Sequence, residues 1–342
     1  NGVEVLLKDN PSLQADMVVL AIGVTPDTVL AKEAGLELGI KESIVVNDRM
    51  ETSVPDIYAA GDAVQVKHYV TGNDALISLA GPANKQGRII ADNICGGDSR
   101  YLGSQGSSVI KVFDMTAATT GINETNAKKS GLEVDTVILS PMSHAGYYPG
   151  GKVMTMKVIF EKESYRLLGA QIIGYEGVDK RIDVLATAIH AGLNATQLKD
   201  LDLAYAPPYS SAKDTVNMAG FMIDNIAKGT LKQWHLEDMD KISKDKDVVL
   251  LDVRTVGEFS MGHIDGFKNI PVDELRERIS EIEKGKPVYL ICQSGLRSYI
   301  ASRILEGNGY ETYNFSGGFR FYDAVVNDRA LIERAYACGM DY

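Results

Sequence analysis

The sequence predicts a multidomain chain that combines α/β and α+β architecture, and three observations carry that reading. Its 342 residues exceed the roughly 100 to 200 of one ordinary domain, so two or three domains are expected. Short continuous apolar runs such as VVLLDV and PVYLIC, separated by helical patterns, have the text of buried parallel strands. Between the two ends lies a β-rich stretch of alternating character, including VMTMKVIF, which suits a sheet with one buried face.

The elements follow in order. Val3 to Leu7 reads as a strand, Asn10-Pro11-Ser12 as a turn, and Asp16 to Ile22 as a buried strand. GVTPDT makes a loop, TVLAKEAGL a short helix, and VPDIYAAGDAV another buried strand ending in Gly61-Asp62. Pro82 through Ile94 is expected to be helical and to stop at Cys95-Gly96-Gly97. The β-rich alternation runs from about Ser104 to Gly174. A helix then begins near Asp179, with Ile182, Leu185 and Ile189 on one face. His190 at its end reads as a packed or solvated helix residue. After LAYAPPYSSAKD a helix runs from about Thr215 to Lys228 and ends at Gly229. From about Trp234 a fresh α/β alternation starts: strand VVLLDV, helix from about Glu274 to Glu283, strand PVYLIC, helix after Arg297, strand ETYNF and a terminal helix.

Composition narrows the function classes. Apolar residues make up 45% and charged residues 24%, close to globular averages, so each domain can bury a core. The net charge is −11, and the acidic excess lies on both sides of Gln233. No basic footprint for nucleic acid or an anionic membrane exists, although a local cationic pocket for a phosphorylated ligand is compatible with the charge. The longest apolar stretch, Met17 to Val24, is far short of the roughly 20 residues that cross a bilayer. Three cysteines, Cys95, Cys292 and Cys338, cannot form a disulfide framework, and no signal peptide is read. The expected compartment is the reducing cytoplasm. No metal-ligand set is expected. Asn1 is not an initiator Met, and a strand-like pattern begins at once, so the chain is expected to be the later part of something longer.

One cysteine stands out by its context. Cys292 ends the strand PVYLIC and is followed by Gln293, Ser294, Gly295, Leu296 and Arg297, then a helical pattern from Ser298. A tight loop and a helix N-terminus aim backbone N–H groups at one sulfur, which favours a thiolate or a persulfide anion there. Arg297 adds positive charge and can orient the loop. Cys95, beside two glycines, reads as structural, and Cys338 as incidental.

These residues resemble the rhodanese family over nearly all of Trp234 to Tyr342. LLDVRTVGEFSMGHIDGFKNIP matches its strand-plus-loop signature, CQSGLRS its active-site loop and NFSGGFRFY its closing glycine turn. Asp252, Arg254, Glu258 and His263 belong to that signature as loop-fixing groups, with no base role given to His263. The competing chemistry is a phosphatase of related fold; those resemble Cys-x5-Arg, whereas Cys292 to Arg297 is Cys-x4-Arg. The shorter loop favours sulfur transfer.

Upstream, TSVPDIYAAGD places a Gly-Asp pair where an expected strand ends, a place where open α/β sheets bind ligands. Gly61 permits close backbone approach, and Asp62 can accept a bond from a sugar-like hydroxyl. With AIGVTPDT and LAGPANKQGRIIADNI, this text resembles the second half of the two-dinucleotide-binding flavoprotein disulfide reductases over about Asn1 to Asn225. The resemblance implies FAD held by Thr52, Gly61 and Asp62, with Leu79, Ala80 and Gly81 near the ring edge. Lys85 suits either that neighbourhood or a solvated helix face. No G-x-G-x-x-G is present, although such a flavoprotein needs one for FAD and one for NAD(P)H. Its redox cysteine is likewise expected upstream. The 342 residues alone are therefore expected to transfer sulfur but not to oxidise NADH.

HAGYYPGG, GYEGVDKRIDVL and LAYAPPYSSAKD resemble the coenzyme A-disulfide reductase branch, including its rhodanese fusions and the related NAD(P)H polysulfide or persulfide reductases. That resemblance implies a homodimer through residues 104–232 that lends Tyr147 and Tyr205 to the partner's active site, Tyr205 near the flavin. It also implies Lys213 near the coenzyme A phosphates. A phenol can donate to a developing thiolate and an ammonium pairs with phosphate; a packed tyrosine and a solvated lysine remain the structural alternatives. Tyr148 and Tyr209 suit interface packing equally well. The segments implied are 1–40, the end of an NAD(P)-binding domain; 41–103, the C-terminal segment of an FAD-binding domain; 104–232, a dimerisation domain; and 233–342, a rhodanese domain. The expected activity is FAD-dependent, NAD(P)H-consuming reduction of coenzyme A disulfide, persulfide or polysulfide, coupled to a Cys292 persulfide. Two alternatives stay open: a flavin NADH oxidase or peroxidase with an accessory rhodanese domain, and a non-catalytic sulfur-carrier or dimerisation module.

Overall fold

Val3–Val5 (β1) and Leu13–Ala15 (β2) pair as an antiparallel hairpin with Glu4 opposite Gln14, across the turn expected at Asn10-Pro11-Ser12. The computed structural model describes residues 2–8 and 10–326. It divides into two units, residues 1–67 with 73–104 and residues 68–72 with 105–342. Cys338 and the remainder of the expected terminal helix lie outside the described residues.

In the first unit, Val29–Glu33 (α1) is the expected short helix. Ile44–Val45 (β3), Val64–Lys67 (β4) and Asp74–Ala75 (β5) form a small mixed sheet. It packs with Ala80–Ile94 (α2) around Met50, Val64 and Val66, against which Ile77, Ile89 and Ile90 lie. The helix starts two residues before Pro82, which a first turn tolerates because its N–H groups have no intrahelical acceptor. Gly96, at φ 89°, ends it as expected.

Two expected strands of this unit do not form. Residues 17–24 contain no strand, and Met17, Leu20 and Ile22 are 76%, 80% and 90% exposed. A central parallel strand needs a neighbour on each edge, and among the described residues this run has none. The VPDIYAAGDAV segment is irregular too, held by a single bridge between Glu51 and Tyr58. Gly61 has a φ of 83°, a left-handed value that a strand interior does not hold. Its N–H goes to Gln86 Oε1 at 2.7 Å rather than to a ladder. Gly61–Ala63 is a 3-10 turn, and the strand, β4, comes after Gly61-Asp62.

The second unit opens with a five-stranded antiparallel sheet. Ser108–Val112 (β6), Met115–Gly121 (β7), Val134–Leu139 (β8), Met154–Glu161 (β9) and Leu167–Gly174 (β10) are ordered β6-β7-β10-β9-β8. A short helix, Glu124–Lys129 (α3), joins β7 to β8. Val178–His190 (α4) buries Ile182, Leu185 and Ile189, the face its spacing predicts. Thr215–Ala227 (α5) begins at Asp214, whose side chain forms a capping box with Asn217. The exposed His190 ring stacks on Tyr69 at 5.1 Å.

From Gln233 the chain builds a parallel sheet. Gln233–Trp234 (β11), Met239–Ile242 (α6), Val249–Asp252 (β12), Val256–Met261 (α7), Lys268–Asn269 (β13), Val288–Ile291 (β14), Leu296–Glu306 (α8) and Thr312–Phe315 (β15) follow in sequence. The strand order is β11-β15-β14-β12-β13, and residues 318–326 are helical. The helix expected over Glu274 to Glu283 is instead a chain of turns ending in a 3-10 turn at Ile279–Glu281. The Tyr310 hydroxyl lies 3.2 and 3.1 Å from the carbonyls of Ile279 and Ile282, so its one proton is shared between acceptors at the end of this segment. Burial of Leu275 and Ile282 then outweighs local helix preference.

This parallel domain docks on β8, an edge strand of the antiparallel sheet. The Ile138 N–H donates to Ser316 Oγ at 3.1 Å, and Gln233 Nε2 donates to the Thr136 carbonyl at 2.8 Å. Arg320 Nη1 donates to the Ser140 carbonyl at 3.0 Å, and His235 Nε2 sits 3.0 Å from Asp135 Oδ1. The edge is thereby covered rather than left as a pairing template. The architecture is the mixed α/β and α+β chain that the sequence predicts. Among the described residues no helix is long and apolar enough to cross a membrane.

Candidate functional site

Cys292 leaves β14 at the mouth of the parallel sheet and is 1% exposed. Two donors converge on its sulfur. The Gly295 N–H lies 3.1 Å from Sγ and the Ser298 hydroxyl 3.2 Å from it. Gly295 is the N-cap of α8 at φ 98°, so the chain turns from strand to helix over the four residues 292–295 and brings the helix N-terminus to the sulfur. Sulfur is a weak acceptor when protonated and a strong one as an anion, so both donors are placed to hold an anionic sulfur.

A second layer fixes the loop. The Phe319 N–H donates to the Cys292 carbonyl at 2.8 Å and the Arg320 N–H to the Gln293 carbonyl at 3.2 Å. That approach requires glycine at 318. Its φ is 69°, and a Cβ there would stand 2.7 Å from Ser294 N and 2.8 Å from the Cys292 oxygen. Asp252 and Arg254 form a fully buried pair at 2.7 Å, and the Arg254 guanidinium lies 3.8 Å from the Phe319 ring centre. Arg254 also donates to the Gly262 carbonyl at 2.8 Å, so it ties β12, the end of α7 and the glycine turn together.

Arg297 does not touch the sulfur. Both its Nη atoms donate to the Glu258 carboxylate at 2.6 Å. That bidentate bond is the main reason the Glu258 carboxyl falls to about 2, with Thr255 contributing, and it raises Arg297 in turn. His263 is exposed and stacked on Phe259 at 4.1 Å, bonded to a backbone carbonyl and away from the sulfur. A cleft of about 430 Å³, lined by Arg254, Glu258, Met261, Gln293, Phe319 and Arg320 among others, opens beside the loop.

A second cluster forms in the antiparallel domain. Tyr147 and Tyr205, 58 residues apart in sequence, place their hydroxyls 2.7 Å from each other. Tyr205 is raised above the ordinary phenol range, chiefly by that bond. Behind them Arg181, 2% exposed, pairs with Asp214 at 2.8 Å and donates to the Ser143 carbonyl at 2.8 Å. Burial raises the Asp214 carboxyl, but bonds from Arg181 and Ser210 more than reverse it, so its net shift is downward. The pair therefore anchors both segments that present the tyrosines. Tyr205 lines a cleft of about 520 Å³ together with His144, Lys180, Pro208 and Tyr209. Lys213 is exposed and lies 5.4 Å over the Phe221 ring.

In the first unit, the Gly61 N–H, next to Asp62 in the chain, donates to Gln86 in the middle of α2. A Cβ at Gly61 would meet nothing closer than 3.9 Å. The 15-residue helix α2 has Leu79 as an extended N-cap without a side-chain cap, so the N–H groups at Ala80 and Gly81 have no capping acceptor. Thr52 closes a turn on the Val54 and Ile57 carbonyls. Asp62 and Lys85 are exposed, and so is Cys95, at the far end of the helix.

Sequence reasoning did not single out Ser298 as a donor or Glu258 as the partner of Arg297. A hydroxyl one residue after Arg297 was the available signal, since it falls on the first turn of a helix whose N-cap faces the sulfur.

Comparison with known proteins follows the same division. Residues 1–87 match the pyridine nucleotide-disulphide oxidoreductase family, 107–216 the dimerisation domain of pyridine nucleotide-disulphide oxidoreductases, and 235–324 the rhodanese-like domain. The chain is 38% identical over 212 residues to the NAD(P)H sulfur oxidoreductase (CoA-dependent) of Pyrococcus furiosus, covering 62% of this chain and 48% of that protein. It is 35% identical over 222 residues to a coenzyme A disulfide reductase of Staphylococcus aureus, covering 65% and 50%. The crystal structure of reduced Bacillus anthracis CoADR-RHD superposes with a TM-score of 0.91 at 48% identity, over 95% of this chain and 58% of that one. The chain thus spans about half the length of the curated relatives it matches. It belongs to the pyridine nucleotide-disulphide oxidoreductases and carries a rhodanese-like domain.

Proposed function

We propose that the whole protein is an FAD-dependent NAD(P)H oxidoreductase that reduces coenzyme A disulfide, coenzyme A persulfide or polysulfide and couples this to sulfur transfer through a Cys292 persulfide. The observation that carries the reading is the pair of donors, Gly295 N–H and Ser298 hydroxyl, on a buried sulfur at a helix N-terminus. The names of the relatives support the reductase half. In the sulfur-transfer half, the Cys292 thiolate attacks the outer sulfur of a donor such as thiosulfate. The new Sγ–S bond forms as the donor's S–S bond breaks, and sulfite leaves with the electron pair. An acceptor thiolate then attacks the outer sulfur of the persulfide, and Cys292 regains its negative charge for the same two donors to hold.

The segments 1–40, 41–103, 104–232 and 233–342 are taken as the end of an NAD(P)-binding domain, part of an FAD-binding domain, a dimerisation domain and a rhodanese domain. Bound FAD would supply the two-electron redox chemistry that links NAD(P)H to a disulfide. Thr52, Gly61, Asp62, Leu79, Ala80 and Gly81 would hold it. The open space at Gly61 and the uncapped start of α2 suit close approach of a flavin dinucleotide. In a homodimer through 104–232, Tyr147 and Tyr205 would donate to a thiolate formed in the partner's site. Lys213 would meet coenzyme A phosphate. The proposed compartment is the cytoplasm.

The experiment uses the full-length protein with NADH or NADPH and either coenzyme A disulfide or polysulfide. Cys292→Ser should leave disulfide reduction intact and abolish transfer of thiosulfate sulfur to a thiol. Unchanged sulfur transfer by that variant would reject the coupling.

A further inference from the structure

The Gly295 carbonyl is crowded. It accepts from the Tyr299 N–H at 3.1 Å, the first bond of α8, and from Asn314 Nδ2 at 3.1 Å; the Ser298 hydroxyl also lies 3.1 Å away. A carbonyl oxygen has two lone pairs, and a serine hydroxyl has one proton. Ser298 Oγ has a second acceptor within reach, Cys292 Sγ at 3.2 Å. The donor count therefore decides where that proton goes. With Tyr299 and Asn314 filling the Gly295 oxygen, it is surplus there.

Asn314 is an unusual residue for this task to fall on by chance. It sits on β15, between β11 and β14 in the parallel sheet, and is 3% exposed. Among the described residues its Oδ1 has no hydrogen-bond partner. A buried acceptor left unmet carries a desolvation cost that an apolar side chain at the same place would avoid. What the amide contributes at this position is its NH2, which donates to the Gly295 carbonyl.

We propose that Asn314 is a positioning residue for sulfur transfer: by occupying the Gly295 carbonyl, it commits the single proton of Ser298 to the Cys292 sulfur. Without it, the Gly295 oxygen takes that proton back and the thiolate keeps only the Gly295 N–H. This rests on Cys292 being the sulfur nucleophile, but its test does not require sulfur transfer to occur.

The test measures alkylation of Cys292 by iodoacetamide across a pH series, read on the Cys292 peptide of the full chain. Variants are Asn314→Leu, Ser298→Ala and the double variant, with thermal midpoints recorded alongside. Asn314→Leu should keep its thermal midpoint yet move the pH midpoint of alkylation upward by about one pH unit, a roughly tenfold slower reaction below that midpoint. Ser298→Ala should move it by the same amount, and the double variant no further. If leucine does not fit, Asn314→Ala gives the same readout. An unmoved midpoint in the Asn314 variants, or single shifts that add in the double variant, would overturn the proposal. A parent protein that takes no sulfur from thiosulfate while the Asn314 shift persists would reject the sulfur-transfer reading and leave this inference standing.

Discussion

Arg297 and Glu258, 39 residues apart, meet through two hydrogen bonds of 2.6 Å, so the cation of the cysteine loop is already matched by a carboxylate. Arg297 therefore orients the loop by holding α7 against α8, and the charge that reaches Sγ comes from the helix N-terminus and Ser298. The carboxyl of Glu258 lies near 2 when folded against an ordinary 4.5. A depressed value stabilises the fold fully above 4.5, and that contribution fades as the pH falls toward 2. Denaturant midpoints measured from neutral pH downward should drop across that window. In Arg297→Met the drop should be smaller, and an equal drop would show that the pair is not its source.

Arg181 and Asp214 form the most buried ion pair that presents the tyrosine cluster. Arg181→Met leaves a buried carboxylate without its partner, and breaking such a pair costs about 3–5 kcal/mol. Thermal and denaturant unfolding should show a loss of that order. Asp214→Asn, which keeps a capping oxygen for the N-terminus of α5, should cost less.

The glycine turn gives a sharper steric test. Gly318→Ala demands a left-handed alanine and a Cβ under 3 Å from the loop backbone. A loss of about 1–3 kcal/mol is expected from strain alone. Because the clash is with Cys292 and Ser294, sulfur loading should fall more than stability does. Loading at the parental rate would contradict the role given to the turn.

Tyr147→Phe removes the bond that raises Tyr205. Ultraviolet titration should then find Tyr205 ionising at lower pH than in the parent. An unchanged titration would mean that the two hydroxyls do not meet in solution.

How far the sequence carried these conclusions differs from element to element. The helix at Ile182, Leu185 and Ile189 and the strand PVYLIC were legible because burial there follows helical or strand spacing. The run from Asp16 to Ile22 has the composition of a buried strand, but burial depends on neighbours, and the described residues supply none. VPDIYAAGDAV failed differently: one left-handed glycine, Gly61, moved the strand to the far side of Gly-Asp. The turns over 274–283 yielded to Tyr310, a tertiary hydroxyl that no local pattern reveals. At the cysteine, the loop, the glycine turn and the helix were visible in the residue order. The pairing of Arg297 with Glu258 and the contest for the Ser298 proton needed distances.

The most direct test of the account is the intact mass of the protein after incubation with thiosulfate and removal of excess reagent. The account predicts a gain of one sulfur atom, carried on the Cys292 peptide, lost on treatment with an acceptor thiol and absent from Cys292→Ser. No gain in the parent, or the same gain in Cys292→Ser, would contradict it.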